Sequence, residues 1–331
     1  MKIPLATVAA EYVGFIVAFF ANIFLIFLIV TQTRQNFGAY KNLMLWFTVF
    51  SLWYSFIDIL TQPGMHSYKN SYIVFCASWF KYHQLLAPII ITSYCTSYGL
   101  TLVLLAIHFI YRFIAISRPN QMYYFKYPRV FLWPTVFITI AIFWWCNVYF
   151  FLGRNQVIDE YMQKSIEENY EDDIRKLSYI GPLYFIISPG GKIEIQWKSC
   201  VGMANVYTIA ATTFVLITTL GLGIYKKMQS VQSLIAPKTR ELQKQLFHSL
   251  IVQTIVPIIF MYTPTTILFI APIFGIELGS MANITSICLA LYPALDPLVV
   301  MYFIRDYRKY IIKHITFSNN VSSTRNVTHD K

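Results

Sequence analysis

Residues 12–33, YVGFIVAFFANIFLIFLIVTQT, hold no charged side chain across 22 positions. A helix needs about 20 apolar residues to cross the hydrocarbon core of a bilayer, so this run is long enough to span. Six more charge-free runs follow, at 42–57, 82–111, 130–153, 199–225, 245–276 and 278–295. Runs 42–57 and 278–295 reach full length by continuing past Asp58 and Asp296. The pattern predicts an all-α membrane protein, a bundle of seven transmembrane helices. The spans fall at about 10–32, 42–61, 86–111, 130–152, 200–225, 247–274 and 281–303.

Composition agrees. The 331-residue chain is 56% hydrophobic, 18% aromatic and only 12% charged, whereas about 25% charged is usual for a soluble domain. Residues Phe15–Phe20 resemble the core of a cleaved leader. However, Glu11 precedes them and Lys2 is the one basic residue before the run, so a retained first span fits better.

An odd number of spans puts the termini on opposite sides. With the N-terminus outside, the inner segments and tail collect 17 Lys and Arg, and the outer segments nine. Basic residues favour the cytoplasmic side, which predicts an outer N-terminus and a cytoplasmic C-terminus. The net charge of +11 is then a matter of topology, and it implies no nucleic-acid partner. Residues 1–316 form one membrane-embedded unit in this reading. Residues 304–316 would be a short helix on the inner leaflet, in contact with membrane lipids. Residues 317–331 are polar and read as a disordered cytoplasmic tail.

The second outer loop gathers Asp159, Glu160, Glu167, Glu168, Glu171, Asp172, Asp173 and Glu194, the mark of a solvated loop. Within it, YFIISPGGKIEIQW (184–197) alternates around an SPGG turn and predicts a hairpin lid. Cys76 and Cys200 both fall near the outer face, an oxidising compartment, and are the candidate disulfide; two ordinary thiols are the alternative. Cys95, Cys146 and Cys288 lie within spans. No cysteine or histidine spacing suits a metal, and no cofactor motif appears. The sequons at Asn283, Asn320 and Asn326 read as chance matches, because two sit in the tail and one lies against the membrane.

Acids inside spans are costly and draw attention. Glu11 and Asp58 stand near outer helix ends, where reaching water explains them. Asp296 lies deeper and precedes Pro297, which removes a backbone donor and suits a hinge. Span six carries Pro257, Pro264 and Pro272; it is either a statically kinked helix or one that swings, with Pro257 and Pro264 as hinge candidates. In span three, Tyr94 precedes Arg112 by five whole turns, and Tyr98 and His108 fall on nearly the same face. Arg112 then either snorkels to lipid phosphate or works as a switch. There is no phosphate loop, no HExxH and no catalytic triad, so enzymatic activity is not expected.

Four stretches together resemble the nematode serpentine chemoreceptors of the str class, seven-transmembrane G-protein-coupled receptors. They are NFGAYKNLMLWFTVFSLWYSFIDI (36–59), AIHFIYRFIAISRPN (106–120), LQKQLFHSLIVQTIVPIIFMYTPTTILFIAPIF (242–274) and LYPALDPLVVMYFIRDYRK (291–309). The resemblance implies detection of a small, volatile odorant in a sensory cilium, coupling to a heterotrimeric G protein, and chemotaxis. Tyr111-Arg112 resembles the acidic-Arg-Tyr element of such receptors, although no acid precedes Arg112. Asp296-Pro297, followed by Tyr302, resembles their Asn/Asp-Pro-x-x-Tyr element, with the tyrosine displaced.

From this follow the candidate site residues. Tyr94, Tyr98, Tyr207 and Tyr262 would line the ligand site, with core packing as the competing role of each. Tyr111, Arg112, Lys238, Arg240, Lys244, Asp296 and Pro297 would form the switch and G-protein face. A ligand-gated channel or transporter, and a receptor for a peptide or pheromone, are the alternatives.

Overall fold

The structure, a computed structural model, describes residues 2–33, 40–188, 190–230 and 237–314, without the side chains of 237–240, 242 and 243. Seven of the described helical segments are long and apolar enough to cross a membrane. Spans one to four are α1 (Leu5–Gln32), α2 (Tyr40–Thr61), α3 (Leu86–Ser117) and α4 (Leu132–Phe151). A shorter helix, α5 (Gln156–Tyr170), lies in the loop before span five, α6 (Trp197–Ser230). Span six is composite: α7 (Pro237–Pro257), a π-turn (Ile258–Tyr262) and α8 (Thr263–Ile270). Span seven is α9 (Asn283–Phe303), and a further helix, α10, covers 305–314.

α3 is the axis of the bundle. Every residue from 96 to 109 is buried, and a helix apolar all round belongs in a core. α4, with only 11% of its span buried, is peripheral. Close approach depends on small residues, as expected where lipid tails compete with side chains for apolar contact. A Cβ on Gly99 would stand 2.6 Å from the Trp144 ring of α4. One on Gly14 of α1 would stand 2.5 Å from the Ala290 carbonyl of α9.

Pro297 cannot donate to the carbonyl one turn earlier, that of Pro293. Asn22 of α1 fills the gap: its Nδ2 donates to Pro293 O at 3.0 Å and to Ala18 O at 2.8 Å. Thus the kink in span seven is tied to span one.

One end of the bundle is capped by a small sheet and is called here the hairpin end; the other, with α10, is the tail end. β1 (Pro63–Tyr68) and β2 (Ser71–Cys76) form an antiparallel hairpin, and β3 (Tyr179–Ile180) pairs with β2. Side chains alternate across a strand. Tyr72, Val74 and Cys76 pack downward with the bundle core, while Ile73 and Phe75 pack upward with Ile158, Met162 and Ile166 of α5. The sheet is buried on both faces, which is why β2 reads as an unbroken apolar run.

Polar groups pin the cap to span seven. Asn283 Oδ1 accepts from Met65 N at 3.0 Å, its Nδ2 donates to Tyr170 Oη at 2.9 Å, and Ser286 Oγ donates to Pro63 O at 2.6 Å. Asn283 is therefore a buried structural amide. His66 is enclosed between β1 and α5, with Nε2 sharing a hydrogen bond with Ser165 Oγ at 2.8 Å. Burial pushes its imidazole down to about 4.

The 184–197 segment does form a hairpin, β4 (Phe185–Ile187) with β5 (Ile193–Ile195). It is no lid: Ile187, Ile193 and Ile195 are about half exposed, and the 63–76 hairpin closes the bundle in its place. The bridge between Cys76 and Cys200 does not form either. Both are free thiols, Cys76 Sγ beside Ser78 Oγ at 3.3 Å and Cys200 Sγ directed at Tyr184 O at 3.6 Å. Glu11 and Asp58 do not reach water but turn into the core, 1% and 2% exposed. Helix packing against α9 and α3 points them inward. α10 falls within the stretch 304–316; residues 315–331, the expected tail among them, lie outside the described residues.

Candidate ligand cavity and its link to the tail end

Beneath the 63–76 hairpin, a narrow cavity of about 50 Å³ remains between α3, α6, α8 and α9. Met65, Tyr72 and Val74 form its roof, Tyr94, Cys95 and Tyr98 one wall, and Met203, Val206, Thr265, Leu268, Phe269 and Leu289 are among the residues that complete it. Tyr72 stacks on Phe269 with ring centroids 5.2 Å apart. An apolar pocket with a few placed polar groups is the usual form of a small-molecule site. Here the polar groups are the tyrosine hydroxyls and Thr265.

Tyr98 Oη and Thr265 Oγ1 lie 2.9 Å apart, joining span three to span six at the cavity wall. Thr265 Oγ1 also donates back to Met261 O at 2.5 Å, inside the π-turn. π-turns carry one extra residue per helical turn and mark places where a helix can re-register. Pro257 ends α7 just before the turn and Pro264 opens α8 just after it. Below the turn, Gln253 Nε2 donates to Asp296 Oδ1 at 3.3 Å, joining span six to span seven. Span six is thus held above and below a built-in irregularity.

At the tail end, Arg112 is only 3% exposed. Its guanidinium lies 3.7 Å from the centroid of the Tyr40 ring, a cation–π contact. Tyr40 stacks on Tyr111 at 5.5 Å, Tyr111 meets Phe125 edge-on at 4.8 Å, and Phe125 stacks on Trp133 at 4.6 Å. His108 sits between Phe47 and Tyr40. Tyr40, His108, Ser249, Gln253 and Asp296 surround a cavity of about 10 Å³, space for roughly one water.

The model of the Str family, serpentine-type seven-transmembrane GPCR chemoreceptors, matches residues 7–312. The chain belongs to that family. It is similar to serpentine receptor class r-10 of Caenorhabditis briggsae, with 34% identity over 96% of this chain and 94% of the relative. It is also similar to G-protein coupled receptor str-33 of Caenorhabditis elegans, with 24% identity over 92% and 89%. The fold matches the crystal structure of squid rhodopsin at a TM-score of 0.63, over 96% of this chain and 88% of that one, at 10% identity. This Str protein is a chemosensory G-protein-coupled receptor, not an enzyme, and a multi-pass plasma-membrane protein.

In the Str receptor, Tyr94 and Tyr98 line the cavity, whereas Tyr207 and Tyr262 lie outside its wall. Tyr207 Oη is 3.5 Å from Tyr184 Oη, and Tyr262 Oη is 3.3 Å from Thr213 Oγ1 on α6. Helical phase alone could not separate tyrosines facing the cavity from those facing the next helix. Tyr111 and Arg112 are covered by aromatic rings, neither snorkelling to phosphate nor presented at the surface. Lys244 is half-buried, and the side chains of Lys238 and Arg240 lie outside the described residues.

Met65, Tyr72 and Val74 escape a count of charge-free runs, because 63–76 is too short to span and passes for a plain connection. The available signal was SYIVFC, a β-branched and aromatic run bounded by turn residues. Thr265 carried no signal of its own.

Proposed function

We propose that this receptor detects a small, weakly polar, volatile odorant in the cavity beneath the 63–76 hairpin. Span six then relays binding to a heterotrimeric G protein at the tail end. The hairpin end faces the exterior in this reading, in keeping with the Lys and Arg distribution, and the receptor serves chemotaxis from a sensory cilium. The observation that carries the proposal is the Tyr98–Thr265 hydrogen bond. It couples a wall of the cavity to the π-turn where span six can re-register.

A ligand shifts a conformational equilibrium only through unequal affinity for its states. A carbonyl or hydroxyl that takes over the Tyr98 or Thr265 hydroxyl supplies that inequality, since it releases span six from span three. The narrow, largely apolar cavity supports a small ligand over a peptide. Coupling to a G protein is supported by the likeness to str-33, itself named a G-protein coupled receptor.

The test is a cell line expressing the full chain with a G-protein-dependent calcium reporter, exposed to volatile ketones, aldehydes and alcohols and to peptides. A response to volatiles is expected, with Y98F and T265V shifting the half-maximal dose at least tenfold at equal surface density. A response to peptides alone sinks the odorant assignment. Unshifted Y98F and T265V responses sink the relay. A ligand-evoked current that survives G-protein blockade marks a ligand-gated channel instead.

A further inference from the structure

The carboxyls of Glu11 and Asp58 turn into the core at the hairpin end, from α1 and α2, within electrostatic reach of each other. Neither enters a salt bridge among the described residues. Among the described residues, both oxygens of Glu11 and Oδ1 of Asp58 are buried without a hydrogen-bond partner. Thr7, one turn before Glu11 on the same buried face, adds a hydroxyl that is equally buried and equally without a partner. Tyr54, one turn before Asp58, stacks on Tyr94 of α3 at 5.9 Å, and both phenols lie within electrostatic reach of Asp58.

An isolated carboxylate in a low-dielectric core costs several kcal/mol, and two within electrostatic reach cost more unless they are neutralised. Among the described residues no basic side chain does this: Lys2, at the same end, pairs with Glu171 at 2.7 Å. The unpartnered groups buried there are all oxygen donors, two of them carboxylates. Such a set is hard in the Lewis sense and carries up to two negative charges. Calcium suits it better than magnesium, because it accepts irregular oxygen coordination, whereas magnesium demands near-ideal octahedral geometry.

We propose that Glu11 and Asp58, with Thr7, form a calcium-binding site at the hairpin end of the bundle. The ion cancels both charges and ties α1 to α2 behind Tyr94. The site stands apart from the odorant assignment and does not depend on it.

The probe is Tb³⁺, a hard cation whose luminescence is sensitised by nearby tyrosines such as Tyr54 and Tyr94, applied to the full chain in lipid nanodiscs. Saturable luminescence displaced by Ca²⁺ is expected. E11Q/D58N should weaken it at least tenfold, while E160Q/E194Q, on exposed acids of the second outer loop, should leave it unchanged. Calcium at fixed pH and ionic strength should also raise the unfolding midpoint of the wild type but not of E11Q/D58N. If the double variant fails to fold, E11Q and D58N are tested singly with the same tenfold expectation. A wild-type midpoint indifferent to calcium overturns the proposal, since carboxyls that merely hold protons behave that way. So does an equal calcium response in E11Q/D58N. Displacement of Tb³⁺ by butylammonium but not by Ca²⁺ overturns it in favour of an amine site.

Discussion

Asn22 shows how one amide can hold a kinked helix in a membrane. It occupies the carbonyl that Pro297 leaves without a donor. N22A strands that carbonyl, at a cost of about 1–3 kcal/mol, so thermal unfolding in detergent should begin a few degrees lower. P297A restores the backbone donor, and in that background the N22A penalty should shrink. An equal penalty in both backgrounds contradicts the account. Arg112 makes the complementary case at the tail end, where the Tyr40 ring covers its guanidinium. A cation–π contact contributes about 0.5–2 kcal/mol. Y40L should therefore raise signalling without ligand several-fold at equal surface density, and Y40F should not. Unchanged basal signalling in Y40L removes Tyr40 from the switch.

At the scale of elements, the cap is a folded layer between bundle and solvent, and His66 is its pH-sensitive point. Its imidazole is held near 4 by burial, against about 6.5 in an unfolded chain. Between those values the unfolded cap binds a proton that the folded cap refuses, so stability falls as pH falls through that window. The contribution is complete above about pH 6.5, and roughly 3 kcal/mol is lost by about pH 4. Protease cleavage within 63–76 should therefore accelerate between pH 6.5 and 4 in the wild type and change less in H66Q, after correction for the protease's own pH profile. Identical profiles would show that His66 does not govern the cap. Span six is the other element of consequence. Its three prolines announced an irregular helix, and the irregularity took the form of a π-turn between two of them.

For the whole molecule, the fold follows from a chain that must satisfy its backbone without water and so crosses as helices. The direction of crossing is a separate question, answered by charge. An epitope tag before Met1 should stain intact cells, and one after Lys331 should stain only permeabilised cells. The reverse pattern would invert the cavity and the G-protein face together.

Seven spans, their order, the proline-broken sixth and the acid beside Pro297 were all determined by the sequence. Charge-free length is a local property, and burying a charged group in lipid is too costly to leave the spans ambiguous. Only the tertiary structure decided which loop caps the bundle, which tyrosines face the cavity, and that Arg112 lies under Tyr40. Glu11 and Asp58 show the reason most plainly. Each alone reads as an acid near a helix end, and only the packing of α1 and α2 into the bundle turns both inward, within electrostatic reach of each other. Contacts between residues 47 positions apart are set by how helices rotate against one another, and no single helix encodes that rotation.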